Sequence, residues 1–283
     1  MKLSEKDVLK VEKRKRGQIN SRFEFLKPIC HLFISISYLL FPLKCLKCQR
    51  IIFKENHDGR AVKTHKELFK DFFCASCISE SETPCNEHFK PPFCEKCGEK
   101  FEHEYRANHL CETCLKSPGK IGKVRAGARY SGLVKESIQF FKYHKKLALG
   151  KPLGKILFTG FNEYFNLSEI DLIIPVPLHA SKLRQRGFNQ AFLVLKDNFS
   201  GFEIDINSLK RVKKTKPQIN FSGEQRKENV RDAFKVMKKD KIKGKRILLV
   251  DDVYTTGATA SEAAGELIDA KALSVDVLVI ARA

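Results

Sequence analysis

A chain of 283 residues with 42% hydrophobic content has material for one full α/β domain and a smaller companion, which excludes a disordered tail. Lysine and arginine number 53 against 33 acidic residues, so the formal charge is +20, a balance that favours polyanionic partners. The most apolar run, residues 29–41 (ICHLFISISYLLF), spans 13 residues, holds His31 and ends at Pro42, too short to cross a bilayer.

The basic run Lys13, Arg14, Lys15, Arg16 imitates the start of an export signal, but no small-residue cleavage site follows. The N-terminal extension is therefore expected to pack on the protein as a helix, with attachment to a membrane surface as the alternative. A thiol-rich segment is expected of a cytoplasmic chain, where thiols stay reduced.

Eight of the ten cysteines form four CxxC pairs: Cys45/Cys48, Cys74/Cys77, Cys94/Cys97 and Cys111/Cys114. A two-residue gap lets both sulfurs of a pair reach one tetrahedral zinc at about 2.3 Å, and two pairs complete a four-thiolate shell with no open position. The zinc, one ion or two, is structural. Sequential pairing joins the first knuckle to the second and the third to the fourth; a crossed arrangement is equally compatible with the spacing. Cys30 reads as a buried hydrophobe and Cys85 as a free thiol or a ninth, competing ligand, while His57, His65, His88, His103 and His109 read as solvent-facing loop residues, with substitution for a sulfur ligand as the alternative.

From Ile121 the cysteines vanish and αβ alternation begins. The boundary falls at Ser117-Pro118-Gly119, dividing the chain into an extension (1–40), a cysteine module (41–117) and an α/β domain (121–283). Val124 to Tyr130 reads as a first strand. Leu133 to Tyr143 carries Leu133, Val134, Ile138 and Phe141 at helical spacing, and a second helical run follows from Lys155 to Phe165. Leu172, Ile173 and Ile174 form a strand stopped by Pro175 and Pro177. A basic loop with Lys182, Arg184 and Arg186 then leads to Gly187 and an apolar helix through Phe192, Leu195 and Phe199. Off the carboxyl end of a parallel strand, such a loop holds pyrophosphate or is simply solvated.

Between Lys210 and Arg231 eight basic residues face two acidic ones. Thr215, Pro217 and Gln218 interrupt regular structure, giving a mobile loop and a short helix. Lys213, Lys214, Lys216 and Arg226 there are candidates for closing over a phosphorylated substrate or lying along a nucleic-acid backbone, with a simply solvated loop as the third reading.

Residues 247–259, ILLVDDVYTTGAT, read as a buried strand stopping at two carboxylates, then a Thr/Gly loop, then a helix from Ser261 to Ala270. The helix N-terminus offers unpaired N–H groups to a phosphate, joined by hydroxyls of Thr255, Thr256 and Thr259, and Gly257 lets backbone approach the anion. Carboxylates beside such a nest suit a group that donates hydrogen bonds, such as the vicinal hydroxyls of a ribose, which Asp251 and Asp252 would grip. The string resembles the 5-phosphoribosyl-1-pyrophosphate (PRPP) motif of type I phosphoribosyltransferases. Val275 to Ile280 is the final strand and would close the sheet.

Together the CxxC knuckles, YSGLVKESIQFFKYH, IIPVPLHASKLRQRGFNQA, KTKPQINFSGEQRKENVRDAF and ILLVDDVYTTGAT resemble the ComF family of competence-associated proteins, from about Phe41 to Arg282. That resemblance implies a type I phosphoribosyltransferase-like fold, a mainly parallel twisted sheet with helices on both faces, beside a zinc module. It implies catalytic Asp251 and Asp252, PRPP contacts from Tyr254, Thr255, Thr256, Gly257, Ala258 and Thr259, and a pyrophosphate loop at Arg184, Arg186 and Gly187, with Mg²⁺ accompanying PRPP. The implied role is DNA uptake and processing in natural transformation, with single-stranded DNA and DNA-processing proteins as partners. Whether turnover occurs stays open. A metabolic nucleobase phosphoribosyltransferase and a non-enzymatic zinc-containing single-stranded-DNA-binding protein are the alternatives. Where the family often shows Arg-Thr this chain has Lys214-Thr215, a point charge in place of a planar fork.

Overall fold

The structure, a computed structural model, describes residues 42–52, 64–81, 92–101, 107–116, 119–215 and 228–283. The run 29–41, Cys30, Cys85, His57, His88, His103, Lys216 and Arg226 lie outside the described residues. Two compact units are distinguished, one of Met1–Asp58 with Asp71–Cys74, the other of Gly59–Lys70 with Ala75–Ala283. In the first, Lys44 and Ile51 form an antiparallel bridge around the first CxxC, and Gln49 takes a positive φ of 62° at the turn.

In the second unit, three short helices carry the cysteine-rich segments: α1 (His65–Leu68), α2 (Ala75–Ser79) and α3 (Glu112–Lys116). A capping box at Thr64 and Glu67 starts α1. His65 opens that helix and is buried, contrary to the solvent-facing position expected of it, because the helix turns its first residue inward.

The α/β expectation holds. Strands β1 (Val124–Arg129), β2 (Leu172–Pro175), β5 (Arg246–Tyr254) and β6 (Ser274–Arg282) form a parallel sheet in the order β1-β6-β5-β2. The last strand lies between β1 and β5 instead of at an edge, consistent with a run apolar enough to be buried on both faces. Between the strands run α4 (Gly132–Tyr143), α5 (Gly150–Tyr164), α6 (Ala180–Arg186) and α7 (Gln190–Leu195). An antiparallel pair of β3 (Leu209–Arg211) and β4 (Phe234–Val236) stands outside the main sheet, followed by α8 (Lys239–Ile242) and, after β5, α9 (Ala258–Asp269).

Both faces are covered. On one, Ile174, Leu249, Val277 and Val279 pack with Ala260, Ala263, Ala264 and Leu267 of α9 and with Phe234 and Val236. Each large side chain buried there contributes about 1.5–3 kcal/mol. On the other, α5 approaches β1 so closely that a Cβ on Gly127 would lie 2.2 Å from the Ile156 carbonyl oxygen. Among the described residues no helix is long and apolar enough to cross a membrane.

Two elements differ from expectation near the site. First, β5 does not stop at the acid pair: Asp251, Val253 and Tyr254 pair with Val279, Ala281 and Arg282 of β6, so the neighbouring strand keeps the backbone extended through both carboxylates. The helix after it begins three residues early, at Ala258, directly behind Gly257. Second, the basic "loop" is helix α6. His179 caps its N-terminus by accepting from the Ser181 amide, and Gly187 ends it in the left-handed conformation at φ 88°.

Candidate functional site

The carboxyl ends of β2 and β5, with α4, α6 and β3, surround a cavity of about 410 Å³. Asp251 and Asp252 both line it. Asp252 is 5% exposed and is paired at 2.7 Å with Lys142 Nζ from the last turn of α4. Its second oxygen, Oδ2, is buried and has no hydrogen-bond partner among the described residues. A buried carboxylate oxygen left this way costs free energy until a donor arrives. Burial would lower the Lys142 pKa, but the charge and hydrogen bond of Asp252 outweigh it and hold the ammonium above its ordinary value. Burial, then the Asp252 charge, push Asp251 up to about 7.

The opposite wall is cationic. Lys182 and Arg186, four residues apart on α6, share one helix face and both line the cavity. Arg186 is 8% exposed, donates to Gln190 Oε1 and lies 5.8 Å over the Tyr143 ring. From β3, Arg211 donates to Thr215 Oγ1 at 2.6 Å. Partial burial, then the charges of Arg186, Arg211 and Lys142, lower the Lys182 pKa, the mark of a cation cluster in want of an anion.

At the head of α9 a second, smaller hollow of about 40 Å³ is lined by Tyr254, Thr255, Gly257, Ala258 and Thr259. Gly257 takes φ 75° as the N-cap and supplies no side-chain cap bond, so the positive end of a 12-residue helix faces this hollow. Any side chain there would collide with Tyr254, whose Oη would stand 2.2 Å from the new Cβ.

The structure thus brings together Asp251, Asp252, Thr255, Thr259 and Arg186 in the larger cavity and Tyr254, Gly257 and Ala258 in the smaller. Arg184 and Thr256 are exposed and, like Gly187, line neither. Lys213 donates to the Arg231 carbonyl, Lys214 is exposed, and neither lines a cavity. Sequence reasoning passed over the contribution of α4: Lys135, Gln139, Lys142 and Tyr143 recur at i, i+4, i+7 and i+8, a polar stripe opposite the apolar one formed by Leu133, Val134, Ile138 and Phe141.

In the first unit Cys48 Sγ and Cys74 Sγ lie 3.5 Å apart; in the second, Cys94, Cys97, Cys111 and Cys114 form one group with their sulfurs within 4.8 Å of one another, a set that fits a tetrahedral ion. Cys94 Sγ accepts from the amides of Cys97 and Cys111 at 3.5 and 3.3 Å. Burial would raise its pKa, yet these donors and Lys96 N–H bring it to about 6, while burial and the neighbouring sulfurs hold Cys97 at about 11 and push Cys114 up further. Four sulfurs this close ionise together only around a cation.

No family model matches the chain. Among curated proteins it is 32% identical over 201 residues to Competence protein F of Haemophilus influenzae, covering 69% of this chain and 83% of that protein. It is 28% identical over 195 residues to DNA utilization protein YhgH of Escherichia coli, covering 67% and 83%. Among solved structures, glutamine PRPP amidotransferase from B. subtilis overlaps 45% of this chain and 25% of its own at 22% identity with a TM-score of 0.29, too partial a likeness to assign anything.

Proposed function

The chain belongs to the ComF family of competence proteins, and from that premise we propose that it binds PRPP with Mg²⁺ in the 410 Å³ cavity. The observation that carries this is the buried Oδ2 of Asp252, an acceptor without a donor in a cavity whose other wall is cationic. Ribose hydroxyls would donate to Asp251 and Asp252. The backbone at Ala258 and Thr259, at the start of the helix, with the Thr255 hydroxyl, would take the 5-phosphate. Lys182, Arg186 and Arg211 would meet the diphosphate, where Arg forks match phosphate oxygens. Mg²⁺, held by the acid pair and diphosphate oxygens, would neutralise the leaving charge. Each cysteine group would hold one structural zinc with its shell closed by four thiolates, and thiolate-held metal suits a reducing cytoplasm.

The role we assign is in handling imported DNA, in keeping with the names of the relatives and with a charge of +20, which draws the chain to nucleic-acid backbones. Calorimetric titration with PRPP and Mg²⁺ tests the binding step. Wild type should bind, and Asp252→Asn should weaken binding at least about tenfold, the loss of one charge-assisted hydrogen bond or more. Silence from the wild-type protein, or equal binding by the variant, defeats the proposal. Pyrophosphate release with one particular nucleobase would move the assignment to a metabolic transferase.

A further inference from the structure

The geometry points to Arg282 as a positioning residue shared by the second cysteine group and the phosphate-binding loop, so that metal at Cys94, Cys97, Cys111 and Cys114 orders the backbone around Gly257. The link to function rests on the phosphate reading of that loop, whereas the mechanical link does not.

Arg282, near the end of β6, is 8% exposed, a burial that arginine tolerates only when paired. Its Nη2 reaches the Glu99 carboxylate and lies 3.7 Å from Cys97 Sγ, while Nε and Nη1 are buried without a hydrogen-bond partner among the described residues. The cation therefore sits against the cysteine group with donors to spare. A divalent ion in four thiolates leaves a net charge of −2, and a buried guanidinium beside one sulfur compensates part of it, as outer-shell donors do at metal sites.

The other face of the same guanidinium lies 5.2 Å from the Tyr254 ring. Tyr254 and Arg282 are register partners on adjacent strands, and the Tyr254 phenol occupies the space a side chain at Gly257 would need. A continuous series of contacts thus runs from Cys97 through Arg282 and Tyr254 to Gly257. The knuckle itself is moored to the sheet: the Val124 amide donates to the Lys96 carbonyl at 2.7 Å, and Arg125 donates to the Glu95 carbonyl at 2.8 Å. With the ion gone, nothing gathers the four sulfurs into one shell against Arg282, which keeps Glu99 as its paired partner. The buried cation is then undercompensated, and the end of β6 loosens together with the loop it supports.

Hydrogen exchange on the full chain without ligand reads this directly. We compare zinc-loaded wild type, wild type stripped by a chelator, and zinc-loaded Arg282→Met and Arg282→Lys. Amides of 255–260 should exchange about tenfold faster after stripping and in Arg282→Met, while those of β2 stay unchanged. Zinc release to a competing chelator should speed up about tenfold in Arg282→Met, the size of a lost outer-shell partner. Arg282→Lys, which keeps the charge but loses the planar face, should retain zinc yet loosen the loop, and it carries the test if stripping or Arg282→Met also exposes β2. Unchanged protection at 255–260 in stripped wild type, or in Arg282→Lys if that variant carries the test, overturns the inference. Because no ligand is present, a protein that passes here and ignores PRPP sinks the phosphate reading alone.

Discussion

Around Cys94 the chain gathers four sulfurs within 4.8 Å and sets one buried cation, Arg282, beside them; around Asp251 it gathers Lys135, Lys142, Lys182, Arg186 and Arg211 and offers two acids. The sulfur groups cannot settle their charge internally, so with the proposed zinc their metal binding would be part of folding. The cavity settles half of its own problem through the Lys142–Asp252 pair and leaves the rest of its cations for a visitor. On the proposed reading, like charges crowded together serve assembly in one place and reception in the other, with Arg282 as the link between them.

The largest effect should come from the sulfur side. Replacing Cys94 by Ser removes the ligand that accepts two backbone amides, and one zinc per chain should be lost by elemental analysis. Metal binding at such sites is worth about 10 kcal/mol, so thermal unfolding should shift down by on the order of 10 °C even with most of that compensated. Full zinc content in the variant would break the comparison at its root.

Next is Lys142→Met, which strands a carboxylate that is 5% exposed. A buried pair broken on one side costs about 3–5 kcal/mol, and the double variant with Asp252→Asn should recover most of it in denaturant titrations. Failure of the double variant to recover would mean that Lys142 matters for packing and not for charge.

A smaller contrast lies within α6. Arg186→Gln should weaken pyrophosphate binding about tenfold, the loss of one bidentate contact, while Arg184→Gln should change it less than about twofold. The two arginines show what the sequence could and could not reveal. Read as an extended loop, KLRQRG gives both an equal claim on the ligand. Wound into a helix, residues two apart point about 200° from each other, so Arg186 enters the cavity with Lys182 while Arg184 faces solvent. The four knuckles were legible because their cysteines are local, with two residues between the sulfur-bearing positions of each, whereas which knuckles pair was not. The loop at Gly257 was legible too, where strand, glycine and helix follow one another directly. Lys142 and Arg211 were not, since only the folded sheet brings α4 and β3 beside β5, and no short motif records a meeting across the 110 residues from Lys142 to Asp252 or the 40 from Arg211 to Asp251. The start of α9 is hidden in the sequence because Ala258 follows a glycine and threonines, residues of loop character, and only the positive φ of Gly257 launches the helix there.

The finest effect is the pH response of the cavity. Asp251 titrates near 7 in the folded chain and near 3.9 when unfolded, so between those values the native state holds a proton that the unfolded state releases. Protonation therefore favours the fold: stability from this group is full below about pH 4, declines as pH rises towards 7, and stays reduced above it. Ligand should act in the opposite sense, because Mg²⁺ and ribose hydroxyls prefer the ionised carboxylate. Affinity for PRPP with Mg²⁺ should rise about fivefold from pH 6 to 7 and about twofold more from 7 to 8, following the ionised fraction, with a proton released on binding near neutrality. Titrations in two buffers of different ionisation enthalpy would count that proton. In Asp251→Asn both the stability slope between pH 4 and 7 and the released proton should vanish, whereas Cys94→Ser should keep the proton release, since the sulfur group takes no part in it.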